Sequence, residues 1–309
     1  MSRNQNYCLN NDGDFVIENY HLAKPFSSFF PGIAGAWGIP IWVFYVNRGQ
    51  AIASFGIKDK DHPIMEFQPA NKSYYLTSLV GFRTFIKLKR GKDIVFYDAF
   101  HNGVNSAGFD IENKMLINSY ELRLEEINHT LGVGVDIGYF TIPNDNYGAL
   151  ARTLTIKNLT RKKMDLEVLD GMPQVIPYGL SNMFIKKLSR TIEAWMDVEN
   201  LDKNIPYLRL KVDPTDRAEV THIKEGNFYI IFDKNGLIKP IVDPESVFGQ
   251  TNDFTYPKVF LENERFGYPK HQLTKSKTPC CMGGEALILK ALASLVFIHW
   301  RGIWIVSIN

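Results

Sequence analysis

Side chains suited to gripping a sugar gather between Pro25 and Tyr75 and just beyond. Trp37, Trp42 and Tyr45 offer aromatic faces, while Asn47, Arg48, Glu66, Asn71 and Arg83 offer hydrogen-bonding groups. An arginine or asparagine beside an exposed tryptophan suits carbohydrate, because hydroxyls take the hydrogen bonds and the C–H face of the ring stacks on the indole. The candidate carbohydrate-binding residues are therefore Trp37, Arg48, Asn71 and Arg83. Trp37, set between Gly35 and Gly38 in a loop, is the best placed for exposure. A competing reading puts Trp42 and Tyr45 in a core and pairs Arg48 with Glu66 inside it.

Other chemistries find less support. The carboxylate pairs Asp59/Asp61 and Glu125/Glu126 could be imagined as acid and base. The first lies in the charged turn KDKDH, where solvation accounts for it. The second consists of neighbours on a strand, whose side chains point to opposite faces, and both pairs are expected at the surface. Gly132-Val-Gly-Val-Asp-Ile-Gly138 fails as a dinucleotide fingerprint, since its third glycine comes one place late and a strand follows. The histidines show no His-x-His or His-x-x-x-His spacing, and Cys8, Cys280 and Cys281 match neither a zinc site nor a disulfide framework. No metal, no cofactor and no catalytic residue is expected.

Composition narrows the class. With 309 residues, 45% hydrophobic, the chain can bury a large core. Its formal net charge of +2 suggests neither nucleic acid nor an anionic membrane as partner. The polar start MSRNQNYCLNNDGDF carries no apolar signal region, which fits a cytoplasmic location.

The elements that must position these residues read mostly as strands. Ile41–Asn47, Ala51–Ile57 and Ile64–Phe67 form an opening meander, preceded by a Pro/Gly-rich lead-in and turned at Arg48-Gly49. Further strands are expected at Phe15–Tyr20, Ser73–Leu79, Phe82–Leu88, Ile94–Phe100, Met115–Thr130 and Gly132–Ile142. Leu150–Asn158 and Met164–Asp170 read as a pair around the turn 159–163, and later strands as Tyr207–Val212, Glu219–Ile223, Phe228–Asp233, Ile238–Val242 and Tyr256–Leu261. Ser181–Glu199 alone has helical spacing, with Phe184, Ile185, Leu188, Ile192, Trp195 and Met196 on one face and Ser181 as N-cap. The pattern is that of a mainly β chain, a large antiparallel β-sandwich with one or two helices.

Four long segments carry a family resemblance: PFSSFFPGIAG, WVFYVNRGQAIASFG, KDHPIMEFQPANK and LTIKNLTRKKMDLEVLDGMPQVIPYG. They resemble the N-terminal β-sandwich region of the cellobiose-phosphorylase-like enzymes of glycoside hydrolase family 94, with the 1,2-β-oligoglucan phosphorylases as the nearest subgroup. The resemblance runs from Asp14 to Gly284. It implies a galactose-mutarotase-like super-sandwich. It also implies an intact enzyme in which a following (α/α)-barrel carries the catalytic acid and the phosphate pocket, and cleaves β-glucan oligosaccharides with inorganic phosphate to a sugar 1-phosphate. Such a glycosyltransferase would take β-glucan and phosphate as partners.

No barrel follows here, and after TPCCMGGEALIL the text turns strongly apolar. The expected organisation is a disordered 1–13, a sandwich over 14–285 and an aberrant apolar tail over 286–309, from truncation or a shifted frame. Too many charges interrupt that tail for a membrane span. The chain then reads as a carbohydrate-binding-type fragment inactive on its own. The alternative is a stand-alone, non-catalytic β-sandwich module that binds carbohydrate or protein.

Overall fold

A computed structural model describes residues 7–34, 39–91, 93–103, 106–145, 147–215, 217–250 and 253–304; for 31–34, 39 and 295–304 it describes the backbone alone. The candidate Trp37 lies outside the described residues. In chain order the strands begin with β1 (Tyr7–Leu9) and β2 (Phe15–Glu18). The opening sheet follows as β3 (Ser27–Ala34), β4 (Ile39–Val46), β5 (Ile52–Ile57) and β6 (Pro63–Met65). The meander is as expected, with the lead-in adding a fourth strand, β3, in register against β4.

Next comes a helix where a strand was expected: α1 (Ala70–Val80). Ser73 and Thr77 alternate with Tyr74 and Leu76 as a strand would, but they also sit four apart, on one helical face. Both are buried, and their hydroxyls bond back to backbone carbonyls, Thr77 Oγ1 to Ser73 at 2.7 Å and Ser73 Oγ to Pro69 at 3.3 Å. That satisfies the polar groups and lets the helix pack closely on β4 and β5.

The chain continues through β7 (Arg83–Arg90), β8 (Asp93–Asp98), β9 (Ile111–Ile117), β10 (Glu121–Asn128), β11 (Val133–Thr141), β12 (Gly148–Asn158) and β13 (Met164–Met172). The stretch Met115–Thr130 is therefore two strands, turned where the Asn118 side-chain oxygen accepts from the backbone of Tyr120 and Glu121. Nor do β12 and β13 form a hairpin. Buried Asn158 turns the chain out of one sheet, accepting from Thr160 while donating to the carbonyls of Lys162 and Lys290.

The expected long helix shortens to α2 (Asn182–Leu188), capped by Ser181 Oγ; positive φ at Ser189 ends it and a 3₁₀ segment runs on to Trp195. Then follow β14 (Met196–Glu199), β15 (Tyr207–Leu210), β16 (Gly226–Asp233), β17 (Gly236–Leu237), α3 (Glu245–Phe248), α4 (Lys258–Glu262), β18 (Cys281–Leu289) and β19 (Ser294–Trp304). Two expected strands dissolve: 219–223 and 238–242 each make only an isolated bridge. A third, 256–261, becomes α4, whose Phe260 is buried against Phe85.

Among the described residues the strands form three antiparallel sheets. The largest runs β1-β2-β9-β10-β11-β12-β19-β16-β15-β14, with β17 beside β16; the others run β18-β13-β7-β8 and β3-β4-β5-β6. One core joins them, with Leu122, Val135 and Leu154 of the large sheet packed with Ile86 and Val168 of the second and Val43 and Phe55 of the third. Helices α3 and α4 cover the outer face of the second sheet over Phe85, Leu169 and Met282. Residues 7–9 of the polar start form β1. The apolar end divides between the close of β18 and the whole of β19.

A single guanidinium ties the three sheets together. Arg152 on β12 reaches Asp170 on β13 (Nη1–Oδ2, 2.5 Å), Thr84 on β7 (3.2 Å) and Gln50 in the β4–β5 turn (2.7 Å). Arg152 and Asp170 are 1% and 0% exposed, so the pair stands only because every charge is answered by a hydrogen bond. Gln50 also donates to Thr84, and Thr84 to Asp170.

Candidate functional site

An open cleft of about 680 Å³ lies where α1, α2 with its 3₁₀ extension, and the loop after α3 meet. Its apolar wall comes from residues such as Leu76, Leu79, Ile185 and Phe254; its polar groups include Glu66, Gln174, Arg190, Glu193, Glu245, Asp253 and Lys277. A pocket of about 20 Å³ beneath α1, reaching Ser73 and Thr77, shares Glu66, Gln174 and Ile176 with it, and this is room for a water molecule.

The carboxylates differ in their surroundings. Glu193 accepts from the Thr278 hydroxyl at 2.8 Å and lies 3.5 Å from Arg190. Glu245 is neutralised by Lys277 at 2.6 Å. Glu66 stands just past the end of β6, half-buried, in none of the ion pairs among the described residues. Burial raises its carboxyl above the ordinary range, against the opposing pull of a Gln68 hydrogen bond and of Lys186 and Lys72. A carboxylate that has lost part of its water beside an amide and an apolar wall accepts hydroxyl donors readily.

Of the residues singled out in the sequence, the three described ones, Arg48, Asn71 and Arg83, do not meet around one cavity. Arg48 lies in the β4–β5 turn and donates to the carbonyls of Asn47 (2.7 Å) and Ala23 (3.2 Å), not to Glu66. Asn71 is exposed on the first turn of α1. Arg83 is buried under the cleft in an ion pair with Asp98, and stacks over Phe85. Its remaining nitrogen donates to Leu79 (3.2 Å) and Phe254 (3.0 Å), two residues of the cleft wall. Arg83 thus holds the cleft in shape from below. Tyr45 is core, and Trp42 is half-buried with its indole donating to the Asp59 carbonyl at 2.8 Å.

The paired acids also resolve. Asp59 closes its turn by accepting from His62 and the Asp61 backbone at 2.8 Å. Glu126, expected at the surface, is instead 1% exposed. Alternation puts it inward with Leu122 and Leu124, where Tyr97 Oη (2.5 Å), the Phe100 amide (2.6 Å) and Asn113 (3.3 Å) donate to it. Burial pushes its carboxyl up from 4.5 to about 7 despite those three donors, with the Asp98 charge adding to the rise.

Among the described residues no cluster of three or more His, Cys, Asp or Glu could hold a metal ion, and no helix is long and apolar enough to cross a membrane. Gln174, Arg190, Glu193 and Lys277 were not among the sequence candidates. They come from well-separated segments, and no local spacing marks them.

The chain matches no family model and no curated protein. Among solved structures it is similar to a galactose mutarotase-like protein from Clostridium acetobutylicum, at 9% identity and a TM-score of 0.43, covering 97% of this chain and 98% of that one. A likeness that slight does not bear on activity.

Proposed function

We propose that this chain is the non-catalytic carbohydrate-handling β-sandwich of a glycoside phosphorylase, of galactose-mutarotase-like super-sandwich type. In the intact enzyme it would pack against an (α/α)-barrel that holds the catalytic acid, takes β-glucan oligosaccharides and inorganic phosphate, and releases a sugar 1-phosphate. The four long sequence motifs support the family. The observation that carries the sugar-binding role is the cleft, where the half-buried Glu66 carboxylate and the Gln174 amide stand beside the apolar wall. Hydroxyls would bond to Glu66 and Gln174 while the C–H face of a pyranose lies on Leu76, Leu79 and Phe254.

Calorimetric titration of the chain with a β-1,2-linked glucan oligosaccharide tests this. Saturable binding without consumption of phosphate is expected. Glu66→Gln replaces a charge-assisted hydrogen bond by a neutral one, a difference of about 1.4 kcal/mol, so affinity should fall about tenfold. Absence of binding to any β-glucan oligosaccharide, or unchanged affinity in Glu66→Gln, would remove the cleft from the argument.

A further inference from the structure

A second cavity, about 540 Å³, opens at one end of the sandwich, between the β7–β8 turn, the β10–β11 turn and the connection from β12 to β13. Its floor is apolar, formed by Leu88, Leu131 and Met164, and Arg90, Lys162 and Lys163 stand on its walls. These three cations are exposed, and none forms an ion pair among the described residues. Lys89, also on the wall, is directed to Glu167 at 3.8 Å, and Asp165 is the one acid among the described residues that line the cavity.

Hydrogen bonds fix the backbone that carries Lys162 on the rim. Asn158, 1% exposed, donates to the Lys162 carbonyl at 2.7 Å and accepts from the Thr160 amide (2.9 Å) and hydroxyl (2.8 Å). The Thr160 hydroxyl bonds on to the carbonyl and amide of Lys162, and the Leu159 amide donates to the Gly132 carbonyl at 2.9 Å. Arg90 is tethered to the Leu131 carbonyl at 3.5 Å. Like charges gathered around one cavity repel one another, and an anion between them relieves that repulsion. The volume exceeds what a bare oxyanion fills, and the apolar floor offers a surface for an organic group.

We propose that this cavity binds a small organic phosphate monoester, its phosphate among Arg90, Lys162 and Lys163 and its organic part on Leu88, Leu131 and Met164. The site is independent of the sugar cleft and of the phosphorylase reading.

Phenyl phosphate is the probe, titrated calorimetrically at low ionic strength, with phenol, inorganic phosphate and a short single-stranded oligonucleotide in parallel. Saturable binding of phenyl phosphate, none of phenol and weaker binding of inorganic phosphate are expected. The double substitution Lys162→Ala/Lys163→Ala, confined to exposed side chains, should lower phenyl phosphate affinity by at least about tenfold while the melting temperature holds. Affinity unchanged in that variant, or no saturation in the wild type, would overturn the site. Inorganic phosphate binding as tightly as the ester would overturn the monoester assignment, and tighter binding of the oligonucleotide would overturn the small-molecule one.

Discussion

Glu126→Gln should flatten the pH dependence of stability. A carboxyl that titrates near 4.5 when unfolded and at about 7 when folded holds its proton longer in the native state. Between those values the folded chain binds more protons, so stability from this group is fully present below pH 4.5 and is lost as pH rises to 7. Each pH unit is worth about 1.4 kcal/mol, so the whole loss is about 3.5 kcal/mol. Glutamine keeps an oxygen for Tyr97 and the Phe100 amide and never charges. Urea unfolding of both proteins at pH 5 and pH 8 measures the difference. His101, whose pKa burial lowers, and Glu66, Glu121 and Glu285, whose pKa values burial raises, titrate in both proteins and cancel in the comparison. Relative to wild type, the variant should gain about 2.5 kcal/mol on going from pH 5 to pH 8, since about a quarter of the loss has already occurred by pH 5. Parallel stability curves would refute the reasoning, because Glu126 would then carry no charge penalty.

Two further substitutions probe the frame. Arg152→Met leaves the Asp170 charge buried without its cation, with the Thr84 hydroxyl still donating to it, a loss of about 3 to 5 kcal/mol by chemical denaturation, and Arg152→Met/Asp170→Leu should recover much of it; equal damage in single and double variants would mean that the ion pair itself is not what matters. Gly171→Ala, at φ 144° with its new Cβ overlapping the Cys281 carbonyl oxygen, should cost at least about 2 kcal/mol and cut soluble yield, and a near-neutral effect would show that β13 and β18 can part there without penalty.

Where short apolar runs are bounded by clear turns, the sequence was readable. The opening meander, β11 and β16 fall within a few residues of their expected bounds, because short runs rich in apolar β-branched and aromatic residues, bounded by turns and buried on both faces in β5, leave few other packings. The helices α1 and α4 were not readable, since Ser73 and Thr77, four apart, satisfy either period and α4 spans only five residues, and contacts with β5 and Phe85 decide between them. The return after β12 was hidden for another reason. A five-residue turn looks the same whether a strand comes back beside its predecessor or crosses to another sheet, and the redirection rests on the side chain of Asn158. Glu126 was legible in principle from its phase with Leu122 and Leu124, but residue type argued for solvent. The cleft was not, because Glu66, Gln174, Arg190 and Lys277 share no local pattern.

Among the described residues β19 comes last of the strands in sequence yet sits inside the largest sheet, from Ser294 opposite Lys157 to Trp304 opposite Gly226. During synthesis the β1–β12 portion of that sheet and the β14–β17 portion must wait, each with a bare edge, until residue 304 has left the ribosome. Those edges are templates for another chain while they wait, so a nascent chain released early would meet other copies of itself before it met β19. Folding that depends on so late and so central a strand is slow and all-or-none, and a chaperone that shields β12 and β16 would act where this fold is most exposed to loss.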